Sequence, residues 1–298
     1  STPCYIYSHA TLESNFIAYQ EALRGHKHLI CFAVKANSNL AILQVLARLG
    51  AGFDIVSVGE LERVLIAGGD PKKIVFSGVA KTSVEMRRAL EVGIYCFNIE
   101  SEEELFLLNQ LALDLGLLAP ISVRVNPDVD PVTHPYISTG LKESKFGIDI
   151  KEAEKIYNKA KKLKNIQIVG IDCHIGSQIT EIQPIIQALE HLIVLSDKLK
   201  SQGIHLEHID LGGGLGVRYE NEQPPSISAF LNSVLKCFSG RNETLVLEPG
   251  RSIIANAGYL VTRVQYLKNN DVKNFAIVDA GMNDCLLYTS PSPRDSRR

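Results

Sequence analysis

Eight short apolar runs, separated by seven helix-patterned segments, constrain this chain more than anything else in it. The runs are LICFAVKA (29–36), GFDIVSV (52–58), KIVFSGV (73–79), YCFNIE (95–100), PISVRVNP (120–127), IVGIDCHIGS (168–177), HIDLGGGLG (208–216) and TLVLEPGR (244–251). Between them, segments from NLAILQVLARLG (39–50) to SISAFLNSVLKCF (226–238) repeat apolar residues at three- and four-residue spacing, and glycine closes several of them. Strand–helix alternation implies βαβ units and a parallel sheet. Eight units point to an α/β chain built as a closed (β/α)8 TIM barrel over residues 27–255, close to the usual size of about 250 residues.

Two stretches fall outside that frame. Residues 1–26 precede the first barrel strand and are expected to contribute to a second, all-β domain. Beyond 255 the period changes: GYLVTRVQYLKN and NFAIVDAG read as strands with no helix between them, so residues 256–284 are expected to begin that domain. The last stretch, 285–298, is Ser/Pro/Arg-rich and unpatterned, and reads as a tail with most of the second domain missing.

Composition excludes several classes. A net charge of −2 gives no footprint for nucleic acid or an anionic membrane surface. No apolar run approaches the roughly 18–20 residues of a membrane-spanning helix, and no signal peptide is visible, although a presequence removed upstream would leave no trace. The six cysteines (4, 31, 96, 173, 237, 285) include no C-x-x-C pair. They read as small core residues in a reducing, cytoplasm-like compartment rather than as a disulfide framework or zinc site.

In a (β/α)8 barrel the chemistry sits at the C-terminal ends of the strands. Polar and glycine-rich residues crowd those ends here: Lys35 after the first run, Asp54 in the second, RVNP in the fifth, His174 to Ser177 after the sixth, Gly212 to Gly216 after the seventh, and Glu248, Gly250 and Arg251 after the eighth. Singly, each has a plain reading. Lys35 could snorkel to the rim, His174 could be a satisfied core histidine, Asp54 could cap the helix near Ser57, and Arg251 could sit in a surface ion pair. Together at one mouth they describe a site. Gly213, Gly214 and Gly250, with Ser177 and Arg251, suit a phosphate. Lys35, with no acidic residue near it in sequence, suits attachment to an aldehyde, its pKa expected to be lowered by desolvation. Glu248 suits a partner for a pyridinium nitrogen. That set points to pyridoxal 5'-phosphate, with no metal.

The stretches FAVKANSN, GFDIVSVGEL, VRVNPDVDPVTHPYISTGLKESKFG, HIGSQ, GGGLGV and EPGRSIIANAG resemble, in family order, the fold-type III pyridoxal-phosphate decarboxylases, with an alanine-racemase-like barrel. Within that group they are most similar to the branch acting on diaminopimelate. The resemblance implies decarboxylation of meso-diaminopimelate to L-lysine, in lysine biosynthesis, by a cytoplasmic homodimer. It implies Lys35 as the cofactor lysine, Asp54 beside the cofactor, His174 stacked on the ring, Ser177, Gly213 and Gly214 at the phosphate, Glu248 at the ring nitrogen, and Arg251 on the substrate's distal carboxylate. Cys285 follows the break in family pattern and is not matched to the family's cysteine loop. An ornithine- or arginine-type decarboxylase, a racemase, and a cofactor-binding barrel without turnover stay open at this point.

Overall fold

The computed structural model describes residues 1–130 and 145–281; the THPYISTG segment and the stretch containing Cys285 lie outside the described residues. The chain begins with β1 (Cys4–Tyr7) and α1 (His9–Ala22). It continues through β2 (His28–Ala33), α2 (Leu40–Arg48), β3 (Gly52–Ile55), α3 (Val58–Ile66), β4 (Ile74–Phe76), α4 (Ser83–Val92), β5 (Cys96–Ile99), α5 (Glu102–Leu115) and β6 (Ala119–Asn126). Then come β7 (Ile148–Asp149), α6 (Ile150–Ala160), β8 (Ile166–Asp172), α7 (Gln183–Ser201), β9 (His208–Asp210), α8 (Ile227–Cys237), β10 (Thr244–Leu247) and the short α9 (Arg251–Ile254). Three further strands, β11 (Gly258–Val261), β12 (Val264–Asn269) and β13 (Asn274–Val278), follow.

Eight strands close the barrel in the order β2-β3-β4-β5-β6-β8-β9-β10, all parallel, with β10 returning to β2. All eight apolar runs contain a strand; Lys35, His174, the 212–216 glycines and Glu248 lie just beyond the strand ends, whereas Asp54 lies within β3. The strand hydrogen bonding stops where the backbone turns outward, and the site residues stand at those strand ends and on the loops beyond. Two side-chain sets follow from the two-residue period. Phe32, Phe53, Phe76 and Phe97 belong to the main core shared with the helices. Cys31, Val75, Cys96, Val169 and Val246 form a separate buried cluster, which the alternation places inside the barrel. Cys31, Cys96 and Cys173 are buried free thiols, as expected of small core residues.

Helix boundaries follow from capping. Ser57 and Ser101 accept hydrogen bonds from Glu60 and Glu104 N–H to open α3 and α5, and Thr82 with Glu85 makes a reciprocal capping box on α4. Gly93 and Gly116, at φ +71° and +66°, end α4 and α5 in the left-handed conformation that a side chain would resist.

Residues 1–26 divide between two roles. β1 pairs antiparallel with β11. Helix α1 lies against α8, α9 and α2, so it fills the place in the helical ring that the four-residue α9 cannot. Its Leu12, Phe16 and Tyr19 are buried at spacings of four and three. The Tyr19 hydroxyl meets Ser252 Oγ at 2.8 Å, tying α1 to the helix that begins with Arg251. Tyr19→Phe is expected to cost about 1 kcal/mol, the usual net value of such a bond, read as a lowered urea midpoint with an unchanged slope.

The β12–β13 hairpin is an antiparallel pair with largely exposed residues. Asp279, just after it, accepts from Thr2 Oγ1 at 2.6 Å and Thr262 Oγ1 at 2.7 Å, linking it to the chain's first residues.

Candidate active site

Parallel register explains why residues far apart in sequence meet at the mouth. Ala33 on β2 lies opposite Asp54 on β3. Lys35 stands two residues on, in a single 3-10 turn, Val34–Ala36. Its Nζ donates to Asp54 Oδ2 at 2.5 Å, an ion pair between a side chain 45% exposed and one fully buried. The lysine that lacks an acidic neighbour in sequence therefore has one in space. Burial pulls Lys35 towards the neutral amine, but the charges of Asp54 and Glu248 and the Asp54 hydrogen bond together outweigh it. Its pKa lies above the ordinary lysine value, not below it as expected from desolvation alone. Asp54 is no helix cap: Ser57 takes that role, and Asp54 Oδ1 has no hydrogen-bond partner in the described structure.

Glu248 follows β10 and is buried at 4% exposure. Burial, then the nearby Asp210, Asp54 and Asp172, raise its pKa well above the usual carboxylate range. Its backbone N–H donates to Gly212 O at 2.8 Å, fixing it to the glycine loop. Asn98 Nδ2 approaches its Oε1 at 3.4 Å. His174, after β8, accepts at Nδ1 from Gly213 N–H at 3.2 Å. Burial, Lys35 and Arg124 hold it well below the usual imidazole pKa, so it is neutral.

The glycines are forced by close backbone approach. A Cβ on Gly213 would lie 2.2 Å from Glu248 O, and one on Gly214 would lie 2.5 Å from Gly176 O. A Cβ on Gly250 would press Ala33 and Ala36 at 3.1 and 3.0 Å. Gln178 clasps the same loop, donating to Val217 O at 2.6 Å and accepting from Val217 N–H at 3.0 Å. Arg251 donates from Nη2 to Ser177 Oγ at 3.2 Å and from Nη1 to Tyr219 Oη. These contacts join the groups at the mouth: Glu248 and His174 are tied to the glycine loop, and Arg251 to Ser177.

Sequence reading missed a layer of buried charge beneath them. Asp172 and Asp210 end β8 and β9, and Arg124 on β6 donates to Glu100 Oε1 at 3.0 Å. Glu100 also accepts from Gly78 and Gly147 N–H. Lys81 is closed off by Glu104, Gly78 O and Asn98 O at 2.6, 2.8 and 2.7 Å. For Arg124, Asp172 and Asp210 the available signal was a charged residue at a strand position between apolar neighbours. A cavity of about 570 Å³ opens at the opposite end of the barrel, between Lys27, Lys200, Arg241 and Glu243. It contains none of these residues, and strand polarity rather than volume decides where the chemistry lies.

A family model of the pyridoxal-dependent decarboxylases, their pyridoxal binding domain, matches residues 9–255, from the start of α1 to the end of the barrel. The chain belongs to that family. Relatives place it further. The diaminopimelate decarboxylase of Pseudomonas aeruginosa is 62% identical over 285 residues, covering 96% of this chain and 69% of the relative. That of Haemophilus influenzae is 58% identical, with 96% and 69% covered. A crystal structure of diaminopimelate decarboxylase from Helicobacter pylori complexed with L-lysine superposes with a TM-score of 0.94 at 47% identity, covering 96% of this chain and 72% of that one.

The residues present fit pyridoxal phosphate. The side-chain-free approach at Gly213 and Gly214, with Ser177 and Arg251 beside it, suits a phosphate group. The unpartnered Asp54 Oδ1 and buried Glu248 leave anionic capacity for a cationic ring, and Lys35 supplies the primary amine.

Proposed function

We propose that this chain decarboxylates meso-diaminopimelate at its D-centre, releasing CO2 and L-lysine, with pyridoxal phosphate at the barrel mouth. The observation that carries the reading is the pairing of Lys35 with buried carboxylates at the strand ends of a diaminopimelate-decarboxylase-like barrel. The L-lysine complex of the structural relative is consistent with lysine as product. When bound, the cofactor supplies an electron sink for the pair left as the bond from Cα to carboxylate breaks.

The protein's part follows from its own groups. Lys35 would hold the aldehyde end; its ammonium would first give up a proton, for which Asp54 Oδ2 is the adjacent acceptor. Glu248 would hold the ring-nitrogen end of the cofactor, where an ionised carboxylate would favour a proton on that nitrogen. Neutral His174 offers a flat face without competing charge. Ser177, Gly213, Gly214 and Gly250 would hold the phosphate. The planar fork of Arg251 suits the substrate's distal carboxylate, with Ser177 and Tyr219 holding it in place.

The assay is CO2 release from meso-diaminopimelate, ornithine and arginine by the chain with pyridoxal phosphate. Release confined to meso-diaminopimelate is expected. Equal release from ornithine or arginine would give the site to another decarboxylase, and cofactor binding without any release would make the chain a carrier. The reading includes a homodimer, checked by sedimentation velocity, and a cytoplasmic location, checked by fractionation. Among the described residues, no helix is long and apolar enough to cross a membrane.

Asp54→Asn is expected to lower the Lys35 pKa, because it removes the carboxylate that most favours the ammonium. Cofactor attachment, followed by absorbance as a function of pH, then shifts to lower pH. An unmoved profile would show that Asp54 does not govern the amine.

A further inference from the structure

Gln178 stands in a backbone conformation that its residue type resists. Its φ is +54°, in the left-handed region that residues other than Gly, Asn and Asp seldom adopt. Among the described residues, glycine aside, it shares a positive φ with Asp128 alone, and aspartate is of a type that tolerates it. Such a position persists only where its surroundings hold it, and positions of this kind gather at ligand sites.

The surroundings are two loops that run side by side at the mouth, one after β8 and one after β9. Gly213 N–H donates to His174 Nδ1 at 3.2 Å. Ile179 N–H donates to Gly214 O at 2.8 Å and Gly216 N–H to Ile179 O at 2.9 Å, which makes an isolated parallel bridge between Ile179 and Leu215. Gln178 adds the last rung with its side chain. Nε2 donates to Val217 O at 2.6 Å, and Oε1 accepts from Val217 N–H at 3.0 Å. A primary amide both donates and accepts, as a peptide group does, so it pairs with Val217 as a neighbouring strand would. The seam is close: a Cβ on Gly216 would lie 3.0 Å from Ile179 O and 3.3 Å from Gln178 Cδ.

The left-handed turn parts two neighbours. Ile179 goes inward and is buried in the core. Ser177 stays half-buried, and its Oγ accepts from Arg251 Nε and Nη2 at 3.3 and 3.2 Å. Ser177, Gly213 and Gly214 are the groups assigned to the phosphate, and they lie on the two loops that the Gln178 amide joins. We propose that Gln178 is a positioning residue for the cofactor's phosphate: its amide clasp on Val217 holds a costly left-handed turn, and that turn fixes where Ser177 stands relative to the glycine loop. That a phosphate lies there rests on the proposed cofactor chemistry; the clasp and the turn are properties of the protein alone.

A clasp that served the fold alone would, when cut, weaken every ligand alike. A clasp that positions the phosphate groups would weaken a phosphorylated ligand selectively. Pyridoxal separates the two cases, because it shares the aldehyde and ring of pyridoxal phosphate and lacks the phosphate.

The test reads affinity for pyridoxal phosphate and for pyridoxal by absorbance titration, and the thermal midpoint of the cofactor-free protein, for wild type, Gln178→Glu, Gln178→Ala and Gln178→Gly. Glutamate keeps the acceptor for Val217 N–H but sets a carboxylate against Val217 O. Alanine removes the clasp and keeps the left-handed cost, whereas glycine removes both. All three variants are expected to lose about tenfold in affinity for pyridoxal phosphate, the scale of one or two net hydrogen bonds, and to bind pyridoxal within about twofold of wild type. Gln178→Gly is expected to melt above Gln178→Ala, because alanine at a positive φ is strained. Equal losses for both ligands, or a phosphate preference unchanged in the variants, would overturn the proposal. A glycine variant that melts no higher than the alanine variant would overturn it too, by showing that the turn carries no cost. Should Gln178→Ala fail to fold, Gln178→Gly, free of the backbone cost, decides on the ratio of the two affinities. A wild type that binds both ligands equally, or neither, would defeat the functional reading and this proposal with it, whereas a wild-type preference that survives in the variants defeats this proposal alone.

Discussion

Lys35→Ala is expected to lose on the order of a thousandfold or more in CO2 release, because positioned proton transfer alone contributes 10²–10⁴-fold and the covalent anchor is lost with it. The choice of Lys35 over other lysines is structural. Lys81 also stands at the mouth, but its three N–H groups are all committed, to Glu104, Gly78 O and Asn98 O. Lys35 has Asp54 as its hydrogen-bond partner among the described residues, on a side chain 45% exposed. Borohydride reduction of the loaded protein followed by peptide mapping should place the pyridoxyl group on Lys35. Label on Lys81 or Lys145 would refute the assignment. The variant should still fold: removing the partner of buried Asp54 costs between about 1 kcal/mol, as for an exposed pair, and the 3–5 kcal/mol of a buried one, with the exposure of Lys35 favouring the lower figure.

Glu248→Gln is expected to keep the cofactor and lose roughly a hundredfold or more in turnover, the usual effect of removing one preorganised electrostatic partner. Glutamine preserves shape, and the backbone bond from residue 248 to Gly212 O does not depend on the side chain. A neutral amide cannot stabilise a cationic ring nitrogen. The same change should raise the thermal midpoint of the cofactor-free protein at neutral pH. Burial, Asp210, Asp54 and Asp172 raise the Glu248 pKa, so its contribution to stability is fully present below its unfolded pKa and is lost as pH rises through the folded value. Removing the carboxyl removes that loss. Stability up and turnover down together would mark a residue kept for function against the fold's preference. Near-wild-type turnover, or a variant that cannot bind cofactor, would count against the assignment.

The sequence carried the barrel because strand–helix period is local: eight apolar runs separated by amphipathic segments leave few other topologies. It also carried the strand-end residues by type, since Lys35, His174, the glycines and Glu248-Pro249-Gly250-Arg251 interrupt patterns that are otherwise apolar. Helix α1 was missed as a barrel helix, although Leu12, Phe16 and Tyr19 have helical spacing, because nothing local says that a segment before the first strand completes the ring after the last. Tertiary structure alone decided who faces whom. The register of β2 on β3 sets Lys35 beside Asp54, nineteen residues away. The registers of β8, β9 and β10 gather Asp172, Asp210 and Glu248. Protonation depends on those neighbours at distances of a few ångströms and on exclusion of water. Residue types are written along the chain, but the pKa order of Lys35, His174 and the carboxylates exists only once the barrel has closed.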